Sequence, residues 1–235
     1  MELKLRRVEQ MKQTRVESVE KALSILEAFS TERQMLTLTE IASETGLHKS
    51  NISRLAASLE RFGYLKRGPD RRFRLGPALW RLGGLYRLNF ELGESVRPAL
   101  RKLVGETGET ASFHVPDQDE RVCLYRENSP DPVRHHLEEG TRLTMRSGAS
   151  AHILAAFYLG DSAAKARLAA DGSCISQGER NPHVSAVAAP VIDAIGQFYG
   201  ALAVSGPRER FDHEALTKAR ATVVSTARAL GQALA

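Results

Sequence analysis

Residues Leu36–Gly76 read LTLTEIASETGLHKSNISRLAASLERFGYLKRGPDRRFRLG, and this stretch decides the fold. Thr37 and Glu40 have the spacing of a capping box, in which the threonine hydroxyl accepts from the Glu40 amide while the Glu40 carboxylate reaches back. Leu36 and Ile41 stand where a hydrophobic staple would, and Leu38, Ile41 and Ala42 make an inner face. Gly46 can supply the left-handed residue that ends such a helix. A second helix is predicted a few residues later, from His48 to about Arg61, with Ile52, Leu55, Leu59 and Phe62 on one inward stripe. That tight link matches a helix-turn-helix. Tyr64–Arg67 and Arg72–Leu75 then read as two short strands around the turn Gly68-Pro69-Asp70. Lys66, Arg67, Arg71, Arg72 and Arg74 crowd this hairpin, and like charges so close cost stability unless a polyanion meets them.

The outer face of the second helix carries Lys49, Ser50, Asn51, Ser53, Arg54, Ala57 and Ser58. Small residues let a helix settle deep in a major groove, Asn and Arg can reach base edges, and Ser and Lys can take phosphates. A merely solvated helix face is the bland alternative. The capped helix before it and the basic hairpin after it weigh for DNA. Ser50, Asn51, Ser53 and Arg54 are expected at bases. Lys49, Arg67, Arg71 and Arg72 are the expected backbone contacts, the last three on the wing of a winged helix-turn-helix.

Working outward, charge separates this stretch from the rest. The chain has 235 residues and a net charge of +5. Residues 1–76 hold 15 Lys/Arg against 10 Asp/Glu, and residues 77–235 hold 18 of each. A small basic unit is thus joined to a neutral one, which suggests a polyanion-binding module attached to something else. Residues 1–17 are polar, with Lys4, Arg6, Arg7, Lys12 and Arg15, and form either an arm along DNA phosphates or a frayed terminus. They are too charged for the apolar core of a signal peptide, and no apolar run approaches the ~20 residues that span a bilayer. A cytoplasmic protein without membrane contact is expected. Cys123 and Cys174 offer no disulfide framework.

A helix is predicted from Ser18, with Val19, Ala22, Leu23, Leu26 and Phe29 on its buried face, broken by Ser30–Arg33. Beyond Gly76-Pro77, Leu79, Trp80, Leu82, Gly83, Leu85, Tyr86 and Phe90 make a wide apolar face, and a further helix runs Val96–Thr107. These faces are core or a dimer seam with Trp80 and Tyr86 as anchors. A dimer is expected because two-fold operators match two-fold proteins. From Glu109 the period changes to that of strands: Thr110–Val115, Arg121–Glu127, Asp131–Leu137, Ser173–Gln177, His183–Asp193 and Phe198–Ser205. A helix is expected over Ser147–Leu159, a short one through Leu168, and a last one over Asp212 to about Ala233. Helices around a mainly antiparallel sheet make an α+β domain.

The order SVEKALSILEAFS, LTEIASETGL, SNISRLAASLERFGYL and RRFRLG resembles the IclR family of bacterial transcriptional regulators. EGTRLTMRSGASAHILAA and SQGERNPHVSAVAAPVIDAIGQFYGALAVSGPRERF extend the resemblance, so it covers about Ser18 to Ala235. It implies an N-terminal winged helix-turn-helix (18–76), a helical linker (77–92) and a GAF-like antiparallel-sheet effector domain (93–235). It also implies a dimer or dimer of dimers, binding to a double-stranded DNA operator, and modulation by a small-molecule effector, an organic or aromatic acid. The family pocket maps onto Leu143, Ala149, Ser150, Ser176, Glu179 and Ala186. Two departures stand out: Arg146 where the family often has His, and Ala151-His152 where it often has Gly-Lys. An inward Arg146 would pair bidentately with a carboxylate. His114, Tyr125 and His135 could line the same cavity. No cofactor or metal is implied.

Two other classes remain to be weighed. An enzyme would use the cysteines and histidines, but no CxxC, HExxH or nucleophile elbow is present, and the adjacent His135 and His136 point to opposite faces of a strand. An effector-independent architectural protein would leave the long neutral half unexplained.

Overall fold

The computed structural model describes residues 16–30, 32–88 and 92–234, and the chain divides into two compact units between residues 89 and 90. The basic arm Lys4, Arg6, Arg7, Lys12 and Arg15, like Thr31 and Phe90, lies outside the described residues.

The first unit holds α1 (Glu17–Glu27), α2 (Leu38–Thr45), α3 (Lys49–Arg61), the hairpin β1 (Leu65–Arg67) and β2 (Phe73–Leu75), and α4 (Pro77–Leu88). The capping box forms as spelled: Thr37 N donates to Glu40 Oε2 at 2.6 Å and Glu40 N to Thr37 Oγ1 at 3.2 Å. The bond from the Thr37 backbone holds the Glu40 carboxyl below its ordinary range. Gly46 ends α2 in the left-handed region, and three residues later α3 begins. Ile25, Leu36, Ile41, Ile52, Ala56, Leu65 and Phe73 form the core. Each fully buried Ile or Leu contributes about 1.5–3 kcal/mol toward holding the unit together. Leu36 exchanges both backbone bonds with Phe73, at 3.0 and 2.7 Å, which adds a third short strand to the wing and docks it on α2. Gly76 is required sterically, because a Cβ there would run into the Gly63 carbonyl.

The second unit is a six-stranded antiparallel sheet in the order β5-β4-β3-β8-β7-β6. Its strands are β3 (Thr110–Asp117), β4 (Glu120–Glu127), β5 (Arg142–Thr144), β6 (Cys174–Gln177), β7 (Val184–Ile192) and β8 (Phe198–Pro207). One face packs on α5 (Leu92–Thr107) and on the C-terminal helix α8 (His213–Ala233) through Val96, Leu100, Leu103, Phe113, Leu202, Val204, Leu216 and Val223. The other face carries α6 (Ala149–Leu154), which runs on as a π-turn over Ala155–Leu159, and then α7 (Ser162–Ala166). There the strands offer small side chains, Cys174, Ala188, Ala201 and Ala203, against Ile153 and Leu154. The two faces follow the two-residue period of strands. Phe113, Leu202 and Val187 point one way; Ser112, Ala203 and Ala186 point the other. Gly231 lets α8 lie against β7, since a Cβ would meet the Ile192 carbonyl.

Several sequence readings change. Asp131–Leu137 forms no strand. Pro130 and Pro132 remove ladder donors there, and β4 already has an edge partner in β5, extended by Cys123 N to Thr141 O at 3.0 Å. The segment is instead tied by side chains. Ser129 Oγ donates to Gly108 O at 2.6 Å, and Arg210 binds Glu109 at 2.7 Å, Asp131 at 3.0 Å and the Val133 carbonyl at 2.9 Å. Phe62 leaves the inward stripe of α3 and is 71% exposed; Ala56 takes the buried place beside Ile52. Of the two roles open to the apolar face of α4, core or seam, exposed Trp80, Leu85 and Tyr86 do not take the first. Among the described residues no helix is long and apolar enough to cross a membrane.

Candidate functional site

Two regions concentrate candidate functional side chains, one in each unit. In the first, α3 buries Ile52 and Ala56 and half-buries Leu55 and Leu59, which turns Lys49, Ser50, Ser53, Arg54 and Ser58 to solvent. Asn51 is half-buried, and with Arg54 and Ser58 it lines an open groove shared with Glu17, Ser18 and Lys21 of α1. The exposed positions share one side because residues three and four apart lie over one another on a helix. At the wing, Gly68 N bonds Arg72 O at 2.8 Å, and Asp70 Oδ1 accepts from Arg72 N at 3.2 Å. Arg67 lies over the Phe73 ring, 5.1 Å from its centroid. Arg71 occupies the turn at φ 61, a left-handed conformation that favours glycine or asparagine. Lys66, Arg71, Arg72 and Arg74 are exposed, and their one carboxylate neighbour in the hairpin, Asp70, stands 3.9 Å from Arg74. The arrangement presents a narrow, cation-lined surface beside an exposed polar helix, which suits a phosphate backbone next to base edges.

In the second unit a small cavity of about 50 Å³ lies on the sheet face that α6 covers only in part. Its floor is Ser112 and His114 of β3, Ser176 of β6, Val184 and Ala186 of β7, and Ala203 and Ser205 of β8. The start of α6 (Gly148, Ala149, Ser150), Leu143 of β5, His135 and Leu137, and Arg180 and Asn181 close it. Arg121 and Arg126 of β4 enter from the side. Strict alternation would put two residues five apart on opposite faces. A bulge brings them together: Phe113 faces Tyr125 but His114 faces Cys123, so Leu124 is left over and the alternation resets.

Each cationic group is held by neutral acceptors. Arg121 donates to the Thr144 carbonyl and, at 3.2 Å, to the Ser147 carbonyl. Arg126 donates to the His135 carbonyl and, through Nε, to Asn128 Oδ1 at 3.0 Å. Arg180 Nη2 donates to His135 Nε2 at 2.6 Å. A guanidinium only donates, so that histidine is neutral with its proton on Nδ1, which faces Ser205 Oγ at 3.0 Å. Burial, followed by Arg180 and Arg126, pushes His135 down to about 4. Burial together with Arg121, Arg126, His135 and Arg180 pushes His114 down to about 3. Arg121 falls to about 10 by burial and by Arg180, and stays charged at neutral pH. His114 Nδ1, Arg121 Nε and Arg126 Nη1 are buried without a hydrogen-bond partner.

Of the residues assigned to a pocket from sequence, Leu143, Ala149, Ser150, Ser176 and Ala186 line this cavity, and so do His114 and His135. Arg146 does not. It is exposed and borders a separate open depression with Asp119, Glu120 and Arg167, because Met145 takes the inward place beside it. Tyr125 belongs to the core on the opposite sheet face, under Arg97. Glu179 stands outside the lining: its carboxylate accepts from Gly148 N at 3.0 Å and His152 Nε2 at 2.7 Å and pairs with Arg167, which fastens the loop carrying Arg180 to the start of α6. Sequence reasoning missed Arg121, Arg126 and Arg180; the bulge at Leu124 hid the first two, and a loop position hid the third. Cys123 and Cys174 are free and buried, and burial raises both thiols to about 11, which keeps them protonated and poor nucleophiles. Among the described residues no group of three His, Cys, Asp or Glu is placed to hold a metal ion.

The chain matches the family model of the IclR helix-turn-helix domain over residues 18–69 and that of the bacterial transcriptional regulator IclR C-terminal domain over residues 163–232. It is 26% identical to the HTH-type transcriptional regulator BhcR of Paracoccus denitrificans, over 94% of this chain and 88% of that protein. A crystal structure of an IclR transcriptional regulator from Alicyclobacillus acidocaldarius superposes with a TM-score of 0.76 at 23% identity, covering 92% of this chain and 98% of that one. An IclR homolog from Microbacterium hydrocarbonoxydans, solved in complex with 4-hydroxybenzoate, superposes with a TM-score of 0.69 at 20% identity, over 91% of this chain and all of that one (100%).

Proposed function

Since the chain belongs to the IclR family of bacterial transcriptional regulators, we propose that its hold on a specific operator is set by a small carboxylate bound in the cavity of the second unit. One observation carries the ligand class. Three buried nitrogens of His114, Arg121 and Arg126 lack partners around a cavity whose lining includes no Asp or Glu. A desolvated cation without a counter-charge costs several kcal/mol, and an anion would remove that cost. The aromatic acid bound by the Microbacterium relative supports the same class.

On this reading Ser50, Asn51, Ser53 and Arg54 contact bases, and Lys49, Arg67, Arg71 and Arg72 contact phosphates. Leu143, Ala149, Ser150, Ser176 and Ala186 shape the cavity, while Glu179 holds its rim. The exposed Trp80 and Tyr86 of α4 serve self-association as a dimer or dimer of dimers. The experiment is to select an operator from random duplexes with the full chain. Anisotropy then measures its affinity with and without carboxylic acids. An acid that shifts operator affinity in the native chain but not in Arg121→Gln is the expected result. No shift from any acid, or an undiminished shift in the variant, would remove the cavity from the regulatory mechanism.

A further inference from the structure

The cavity has two cationic poles rather than one. Arg121 is opposite Pro116 of β3 and Arg126 is opposite Ser112, four residues along the strand. At about 3.3 Å per residue their backbones stand about 13 Å apart, and each side chain is anchored at its own end. Arg121 is fixed to the Thr144 and Ser147 carbonyls, beside the start of α6. Arg126 and Arg180 converge on His135, from its carbonyl and its Nε2. Both poles keep a buried nitrogen unpartnered, Arg121 Nε at one and Arg126 Nη1 at the other.

Nearby acids leave these poles unneutralised. Glu138 acts on Arg126 but pairs with exposed His136 at 2.8 Å. Glu139 takes Arg97 and the Arg126 backbone amide. Glu179 is spent on Gly148, His152 and Arg167. With His135 neutral and its Nδ1 proton directed at Ser205 Oγ, the serine hydroxyl proton is left to donate into the cavity.

We infer that the ligand is a compact dianion with an acidic group at each end, one taken by Arg121 and the other by Arg126, Arg180 and Ser205. This rests on the carboxylate reading above and narrows it. A monoacid would satisfy one pole and leave the other desolvated and unpaired. An anion whose charge sits on one centre would do the same. The cavity is small, about 50 Å³, which favours a short molecule over a bulky one.

Calorimetric titration of the full chain with malonate, succinate, acetate, benzoate and inorganic phosphate tests this at constant ionic strength. Malonate or succinate should bind at least tenfold more tightly than the other three. Arg180→Gln, a change at an exposed loop position, should erase most of that advantage while leaving acetate affinity within about twofold. Arg121→Gln should weaken monoacid and diacid alike, with near-ultraviolet circular dichroism showing that each variant folds. If benzoate, acetate or phosphate matches the diacids and Arg121→Gln abolishes that binding, the two-pole inference is overturned while the carboxylate reading stands. If none of the five probes binds, or Arg121→Gln leaves binding unchanged, both are overturned.

Discussion

The two units of this chain use cations in opposite ways. The first spreads Lys66, Arg71, Arg72 and Arg74 over an exposed hairpin, where water screens them and a partner can find them. The second buries Arg121 and Arg126 around a small cavity and forces two histidines to stay neutral beside them. Exposed cations cost the fold little and make binding depend on salt. Buried ones cost the fold a great deal and make binding depend on charge complementarity. The difference should appear first as sensitivity to acid. Both imidazoles titrate well below their ordinary value in the folded chain, so between about pH 6.5 and those lowered values the unfolded chain holds the extra protons. The stability tied to their neutrality is therefore full above about pH 6.5 and is lost as pH falls toward 4. The loss is on the order of 1 kcal/mol per pH unit for each histidine. Amide exchange in β3 and β8 should accelerate from pH 7 to 5 after correction for intrinsic rates, while α3, whose unit has only the exposed His48, stays protected. Equal acid sensitivity in both units would mean that the cavity histidines are not held neutral.

Ion pairs sharpen the same contrast. Glu109 keeps 7% of its side-chain surface and is held by Arg210 through two nitrogens. Arg33 and Glu44 pair at 2.6 Å with 51% and 41% exposed. Arg210→Ala leaves a nearly buried carboxylate unpaired and frees the segment that delivers His135, so denaturant unfolding should show a loss of about 2–3 kcal/mol, toward the low end because Arg210 is itself 38% exposed. Arg33→Ala should leave the unfolding midpoint almost unchanged, because water screens that pair. Comparable losses in the two variants would erase the distinction between buried and solvated pairs.

The sequence spells out the first unit more fully than the second for a related physical reason. Its signals are local: Thr37 and Glu40 are three residues apart, Gly46 ends a helix by its own backbone freedom, and the stripe of α3 repeats every turn. Its misses are apolar side chains that end up exposed: Phe62, at the last turn where the chain has already left the helix, Val19 and Leu23 on α1, and Trp80, Leu85 and Tyr86 on α4. In the second unit the strands and helices also announce themselves by period, but the cavity depends on register. Nothing local marks Leu124 as the unpaired residue of a bulge, so Arg121 and Arg126 do not look like neighbours. Asp131–Leu137 alternates like a strand, yet the neighbouring edge of β4 is already occupied. Arg146 has the right chemistry, one residue out of phase with the inward Met145. What stayed illegible was set by pairing between distant segments rather than by the segments themselves.

On the DNA side, Arg54→Ala should leave unfolding unchanged within about 0.5 kcal/mol, because an exposed side chain on the outer face of α3 contributes little to packing. It should weaken operator binding by about 1–3 kcal/mol and nonspecific duplex binding by less. Equal losses on both duplexes, measured by anisotropy at one salt concentration, would move Arg54 from base reading to phosphate contact. The corresponding change in the second unit, Arg121→Gln, should alter both fold stability and the proposed binding of an acid, since there the buried charge is also the one assigned to the ligand.

The smallest effect discriminates most finely between an incidental charge and a used one. Arg71 sits at φ 61 in the wing turn, a conformation that costs a residue with a Cβ about 1–2 kcal/mol relative to the right-handed region. Glycine would relieve that strain and return part of the gain through its greater freedom in the unfolded chain. Arg71→Gly should therefore raise the stability of the first unit by about 0.5 kcal/mol. If the exposed guanidinium rests on a phosphate, the same change should weaken binding to all duplexes and lower the slope of log affinity against log salt by about one. A residue that strains its turn while adding DNA affinity is kept for the charge. Unchanged salt dependence would instead assign Arg71 to the turn alone, and the wing contacts would pass to Arg67 and Arg72.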